Sequence, residues 1–89
     1  MSSTPAIQSV ETGEEYVHVR FRDPDAFETI RTPDWAAKAA SEVSAGAEVR
    51  MGKRSGSDDW AVQSVLVDVH VGEAKAREQA VQILEKIES

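Results

Sequence analysis

Hydrophobic and polar residues alternate in three stretches of this chain and fall at helical spacing in two others. Tyr16-Val-His-Val-Arg-Phe-Arg22 places Val17, Val19 and Phe21 on one side and Tyr16, His18, Arg20 and Arg22 on the other, the period-two pattern of a half-buried strand. Ala47-Glu-Val-Arg-Met51 repeats it, with Ala47, Val49 and Met51 inward and Glu48 and Arg50 outward. The run from Trp60 to Val71 is the most apolar, and its valines mark it as a strand. Its second half is regular: Val65, Val67, Val69 and Val71 share one face, and Leu66, Asp68 and His70 the other. Its first half has two readings. Strict alternation puts Trp60 and Val62 on the Leu66 face, whereas a bulge near Gln63-Ser64 turns them inward.

Helix signals lie between these strands and after them. Thr32-Pro33-Asp34 supplies a cap, a proline at the first helical position and an acid for the helix dipole. The predicted helix runs to about Ala45 and stops at Gly46, with Trp35, Ala36, Ala39, Ala40 and Val43 on its inner stripe. The small alanines let it sit close to a sheet, and Trp35 is expected to fill the volume they leave. Asp23-Pro24 reads as the start of a short helix with Phe27 and Ile30 on its apolar side. Residues 73–88 form the last helix, with Ala76, Ala80, Ile83, Leu84 and Ile87 inward. Residues 52–59 are a polar hairpin connection.

These elements predict an α+β fold. A crossover helix joins parallel strands, while the second and third strands form an antiparallel hairpin. Both demands are met by a three-stranded sheet ordered first, third, second (a split β-α-β), with both helices packed on one face and the other face bare. Residues 1–13, rich in Ser and Thr, read as a flexible N-terminal tail with an option of a short edge strand over residues 7–10. Residues 14–89 make a single α+β domain.

Composition adds an environment. The formal net charge is −6, acids are spread along the chain, Lys is scarce, and Ala and Val supply most of the apolar side chains. This is the balance of a protein that stays dissolved in strong salt, because carboxylates hold water and salt screens their repulsion. There is no Cys, so disulfides and thiolate chemistry are excluded. The N-terminus lacks a basic start and an apolar run, and no stretch has the length of a membrane span. A cytoplasmic location without membrane partners is expected.

The stretch Phe27-Glu-Thr-Ile-Arg-Thr-Pro-Asp-Trp-Ala36, followed by Gly56-Ser-Asp-Asp-Trp60, resembles a family of small proteins from halophilic archaea over residues 14–88. The resemblance implies a high-salt habitat. It assigns no activity and carries no catalytic or binding residue onto this chain.

Three kinds of chemistry are conceivable on the bare face. His18, Asp68 and His70 would form a two-histidine, one-carboxylate metal site if the strands brought them together, but polar residues paired across strands explain them as well. No catalytic, cofactor-binding or metal-binding residue is therefore assigned. Arg20, Arg22, Arg31, Arg50, Lys53 and Arg54, with Tyr16 and His18, would suit a nucleic acid or nucleotide through an Arg-rich sheet face and the 52–59 loop. Without a bulge, Trp60, Val62 and Leu66 join Tyr16 in an apolar patch that a second copy would cover. The expectation is a non-catalytic interaction module, homodimeric through its sheet. Tyr16, His18, Arg20, Arg50, Arg54, Trp60 and Leu66 are its surface.

Overall fold

The computed structural model describes residues 6–53, 56 and 60–88. In chain order these form β1 (Ser9–Thr12), β2 (Tyr16–Arg20), β3 (Thr29–Arg31), α1 (Asp34–Val43), β4 (Glu48–Lys53), β5 (Trp60–Asp68) and α2 (Glu73–Glu88). The strands make one antiparallel sheet in the order β1-β2-β5-β4-β3. The three-stranded expectation is thus overturned: each edge carries one strand more.

Both additional strands lie where side chains give little signal. β1 falls inside the stretch read as a tail and pairs Ser9 with Arg20 through Thr12 with Val17. Only Val10 in it is apolar, set opposite Val19, so its alternation is too short to detect. β3 takes the place of the second half of the short helix expected from Asp23-Pro24. Pro24–Ala26 form a single 3-10 turn, with the Asp23 carboxylate accepting the Asp25 N–H at 2.9 Å. Phe27 then leaves in extended backbone (φ −115°, ψ 142°), which carries Ile30 into a strand opposite Gly52.

The core lies between the sheet and the two helices. Val17, Val19 and Phe21, then Val49, Met51, Val62, Val65 and Val67 meet Ala36 and Ala40 of α1 and Ala76, Ala80, Ile83 and Leu84 of α2. α1 rests on β4, and α2 on β5 and β2. Trp35 departs from its expected place and is 56% exposed. The buried stripe of α1 is centred on Ala36 and Ala40, and Trp35 lies about 100° around the helix from Ala36. A Lys86–Glu42 ion pair at 2.8 Å joins the two helices at the surface.

β5 contains the bulge. Arg50 stands opposite Ser64, but Met51 stands opposite Val62, leaving Gln63 as the extra residue. Val62 and Val65 are consequently both wholly buried against the helices. Gln63 and Ser64 project together from the other face, where the Ser64 hydroxyl donates to Gln63 Oε1 at 2.7 Å. The strand also ends earlier than its valines suggest. Asp68 Oδ1 accepts the His70 N–H at 2.8 Å and starts a 3-10 turn over Val69–Val71. A short acid capturing a backbone donor two residues on competes directly with the strand ladder.

Past the end of β2, the backbone of Val62 finds side-chain partners. Its N–H donates to Glu88 Oε2 at 2.7 Å, and its carbonyl accepts from Arg22 Nη1 at 2.7 Å. Arg22 and Glu88 are themselves paired at 2.9 Å. No helix among the described residues is long and apolar enough to cross a membrane.

Candidate interaction surface on the open sheet face

Register places the polar side chains of the uncovered face in three rows across the strands. Ser9, Arg20, Ser64 and Arg50 form the first row, and Glu11, His18, Leu66 and Glu48 the second. Tyr16 and Asp68 form the third. The face is basic at one end, carries Leu66 and His18 in the middle, and is acidic at the other.

It is not wholly bare. A side chain at Gly52 would point to this face, and its Cβ would lie 2.2 Å from Cγ of Phe27. The Phe27 ring therefore covers the sheet there. Gln63 is held beneath the same segment, donating from Nε2 to the Arg22 carbonyl at 2.8 Å.

Of the expected surface residues, Tyr16, His18, Arg20, Arg50 and Leu66 share this face. Trp60 does not join them: it lies two residues from Val62 without a further shift, so the bulge turns it to the helix side, 38% exposed. Arg54 and most of the 52–59 loop lie outside the described residues. The contiguous apolar patch is thereby reduced to Leu66 and the ring of Tyr16. Glu11, Glu48 and Ser64, which sequence reading left out of the surface, belong to the rows. Their signal was the outward phase of 48 and 50 and the polar pair Gln63-Ser64 interrupting an apolar run.

His18 is the most perturbed group. Its Nε2 is buried without a hydrogen-bond partner. Burial lowers its pKa to about 4, and the charges of Arg20 and Arg50 push in the same direction against Glu11. The imidazole is neutral at pH 7. Tyr16 is shifted the other way, its phenol raised by Glu48 first, then by burial, Glu15 and Asp68. A shallow cavity of about 400 Å³ opens beside them, floored by His18 and Leu66 and rimmed by Glu11, Glu14 and Glu15.

His18, Asp68 and His70 do not converge. His18 opposes Leu66, whereas His70 sits on the 3-10 turn with Nδ1 2.8 Å from Asp68 Oδ1. The His70 N–H and ring hold the Asp68 carboxyl below its ordinary range. No group of three potential ligands among the described residues is placed to hold a metal ion. The Ser41 hydroxyl donates to the Lys38 carbonyl and the Ser64 hydroxyl to Gln63 Oε1, while the Tyr16 phenol is hydrogen-bonded to the Glu48 carboxylate.

Comparison with family models, curated proteins and solved structures found no match.

His18 gives a pH prediction. A histidine near its usual value of 6.5 when unfolded and near 4 when folded binds more protons in the unfolded chain between those limits. Stability therefore falls as pH drops through that window. Glu42 and Asp68, whose carboxyls are lowered from 4.5 and 3.8, lose their contributions only below those values. Between pH 6.5 and about 5 the His18 effect stands apart. Urea midpoints measured across this range should decline toward acid in the native chain, and His18→Gln should flatten that part of the curve.

Proposed function

We propose that this chain is a small acidic interaction module of the cytoplasm, without catalysis of its own, that pairs with a second copy through the open sheet face. The supporting observation is the order along the strands: Arg20 and Arg50 at one end, Leu66 in a middle row that also carries Glu11 and Glu48, and Tyr16 with Glu15 and Asp68 at the other end. A two-fold axis lying in the interface, perpendicular to the strands and passing over Leu66, sets each basic end against the acidic end of the other copy. Leu66 then meets Leu66, and Arg20 comes over the ring of Tyr16, a cation–π geometry.

Charge sets the conditions. Two copies of net charge −6, with centres about 25 Å apart for a radius of gyration of 12.2 Å, repel by about 6 kcal/mol in unscreened water. Glu11 and Glu48 also face their own copies across the axis. At about 1 M salt the screening length is about 3 Å and this repulsion nearly vanishes. Local contacts at an apolar centre survive it. Association should therefore strengthen with salt.

Light scattering or sedimentation should show the dimer fraction rising from about 0.1 M to about 2 M KCl. Leu66→Asp should remain monomeric throughout while keeping its far-ultraviolet circular dichroism. A native chain that is strictly monomeric at the higher salt removes the proposal. The same order argues against a bound nucleic-acid strand, since Glu11, Glu14, Glu15, Glu48 and Asp68 would repel the phosphates that follow the first.

A further inference from the structure

We propose that the row of Arg20, Ser64 and Arg50 is a binding site for one phosphate-type oxyanion. The site goes beyond self-pairing and does not depend on it. Arg20 on β2 and Arg50 on β4 flank Ser64 of β5 in one register row, so their Cα atoms are about 10 Å apart, two strand spacings. Two guanidinium groups reaching inward from that separation can close on a single tetrahedral anion, each offering a fork of N–H donors.

Three observations favour an anion-binding row over two solvated surface charges. First, the chain has 16 acidic residues against 10 basic ones. Arg22 and Lys86 have found carboxylates, yet among the described residues neither Arg20 nor Arg50 has an ion-pair or side-chain hydrogen-bond partner. Second, Ser64 is wholly buried on a face that no helix covers, with its hydroxyl turned to Gln63, so it floors the row beneath side chains of that face and leaves the donors to the two arginines. Third, His18 stands in the neighbouring row, two residues along β2 from Arg20, with Nε2 buried and unpartnered. A neutral imidazole carrying its proton on Nε2 is a donor to an oxyanion. Both arginines are close enough to oppose its protonation.

The acids define the ligand. Glu11 and Glu48 border the neighbouring row, and Glu14, Glu15 and Asp68 lie beyond. A single phosphate fits between the arginines, whereas an extended polyanion would run into carboxylates. The recognised group is inorganic phosphate or a terminal phosphomonoester.

The test is titration of the full chain with inorganic phosphate in low-salt buffer, followed through the His18 ring resonances. The groups facing His18 are Tyr16 and Arg20 on its own strand, Glu11 on β1, Arg50 and Glu48 on β4, and Glu14 and Glu15 on the loop before β2. Saturable shifts are expected, with a dissociation constant on the order of 1 mM. The titration midpoint of His18 should move upward from about 4, because the anion offsets the two guanidinium charges. The His70 resonances should not move. Arg20→Gln and Arg50→Gln should each weaken binding at least about tenfold, with unchanged circular dichroism. Ribose 5-phosphate provides the second arm: tighter binding than inorganic phosphate identifies a carried phosphomonoester, and equal binding identifies the free anion. Linear, non-saturating shifts with both ligands overturn the proposal, and so does binding that survives the double variant.

Discussion

Gly52→Ala is expected to lower stability by about 2–3 kcal/mol, a fall in Tm of about 10–20 °C for a domain of this size. The cause is contact, since the added Cβ would lie 2.2–2.5 Å from three atoms of the Phe27 ring. Phe27 is 9% exposed where it stands, and forcing the ring off the sheet returns most of its surface to water, about 1.5–3 kcal/mol. Phe27→Ala alone should have a similar effect. The informative experiment is the double variant. With the ring gone, the three closest contacts of a Cβ at 52 are removed, and a side chain in a strand interior is preferable to glycine. Thermal melts should then show Gly52→Ala neutral or slightly stabilising in the Phe27→Ala background. Equal losses in both backgrounds would show that the ring is not what position 52 accommodates.

That contact also shows how far side-chain pattern carries in this chain. Alternation located Val17 and Val19 of β2, Phe21 just beyond it, and Val49 and Met51 of β4, all buried, because each is a choice between core and water repeated over several residues. β1 and β3 are held by backbone pairing at the sheet edges, with four and three residues respectively, and backbone hydrogen bonds leave no mark on side-chain type. Phe27 follows a proline that reads equally as a helix start or a single turn. Its destination was fixed by the absence of a side chain at Gly52, far along the chain. Helical spacing counts Trp35 in the inner stripe, although it borders the buried Ala36 and Ala40 rather than lying between them.

The surface shows the same division. Tyr16, His18, Arg20 and Arg50 followed from phase alone. Their grouping into rows did not, because rows depend on register, and register here depends on the bulge at Gln63. The polar pair Gln63-Ser64 was compatible with either phase of Trp60 and Val62. The deciding contacts came from elsewhere: the N–H groups of Phe21 and Arg22 both reach the Gln63 carbonyl, at 3.0 and 3.2 Å. With Val62 turned inward, the case for a dimer passes from hydrophobic area to charge order. Its expected salt response nevertheless runs opposite to that of a simple ion pair, because what salt mainly screens is the repulsion between two copies of net charge −6.

The second large effect is expected at the far end of α2, where Glu88→Ala should lower stability by about 2–3 kcal/mol. An exposed ion pair would contribute at most about 1 kcal/mol, and an acid at a helix C-terminus opposes the dipole by about 0.3–1 kcal/mol. Glu88 is worth more because its carboxylate accepts the Val62 N–H and the Arg22 guanidinium together, with both side chains only 22–24% exposed. Removing it orphans a backbone donor beside the core, and Arg22→Ala orphans the Val62 carbonyl in the same way. The two losses should not add, because either change dissolves the same arrangement. Amide exchange at Val62 separates this account from a merely electrostatic one: it should accelerate strongly in Glu88→Ala and less in Glu88→Gln, whose amide oxygen can still accept. Unchanged exchange at Val62 would mean that the bulge holds itself. If exchange does accelerate, the last turn of α2 fixes the register of β5, and through it the positions of Arg20, Ser64 and Arg50 on the opposite face.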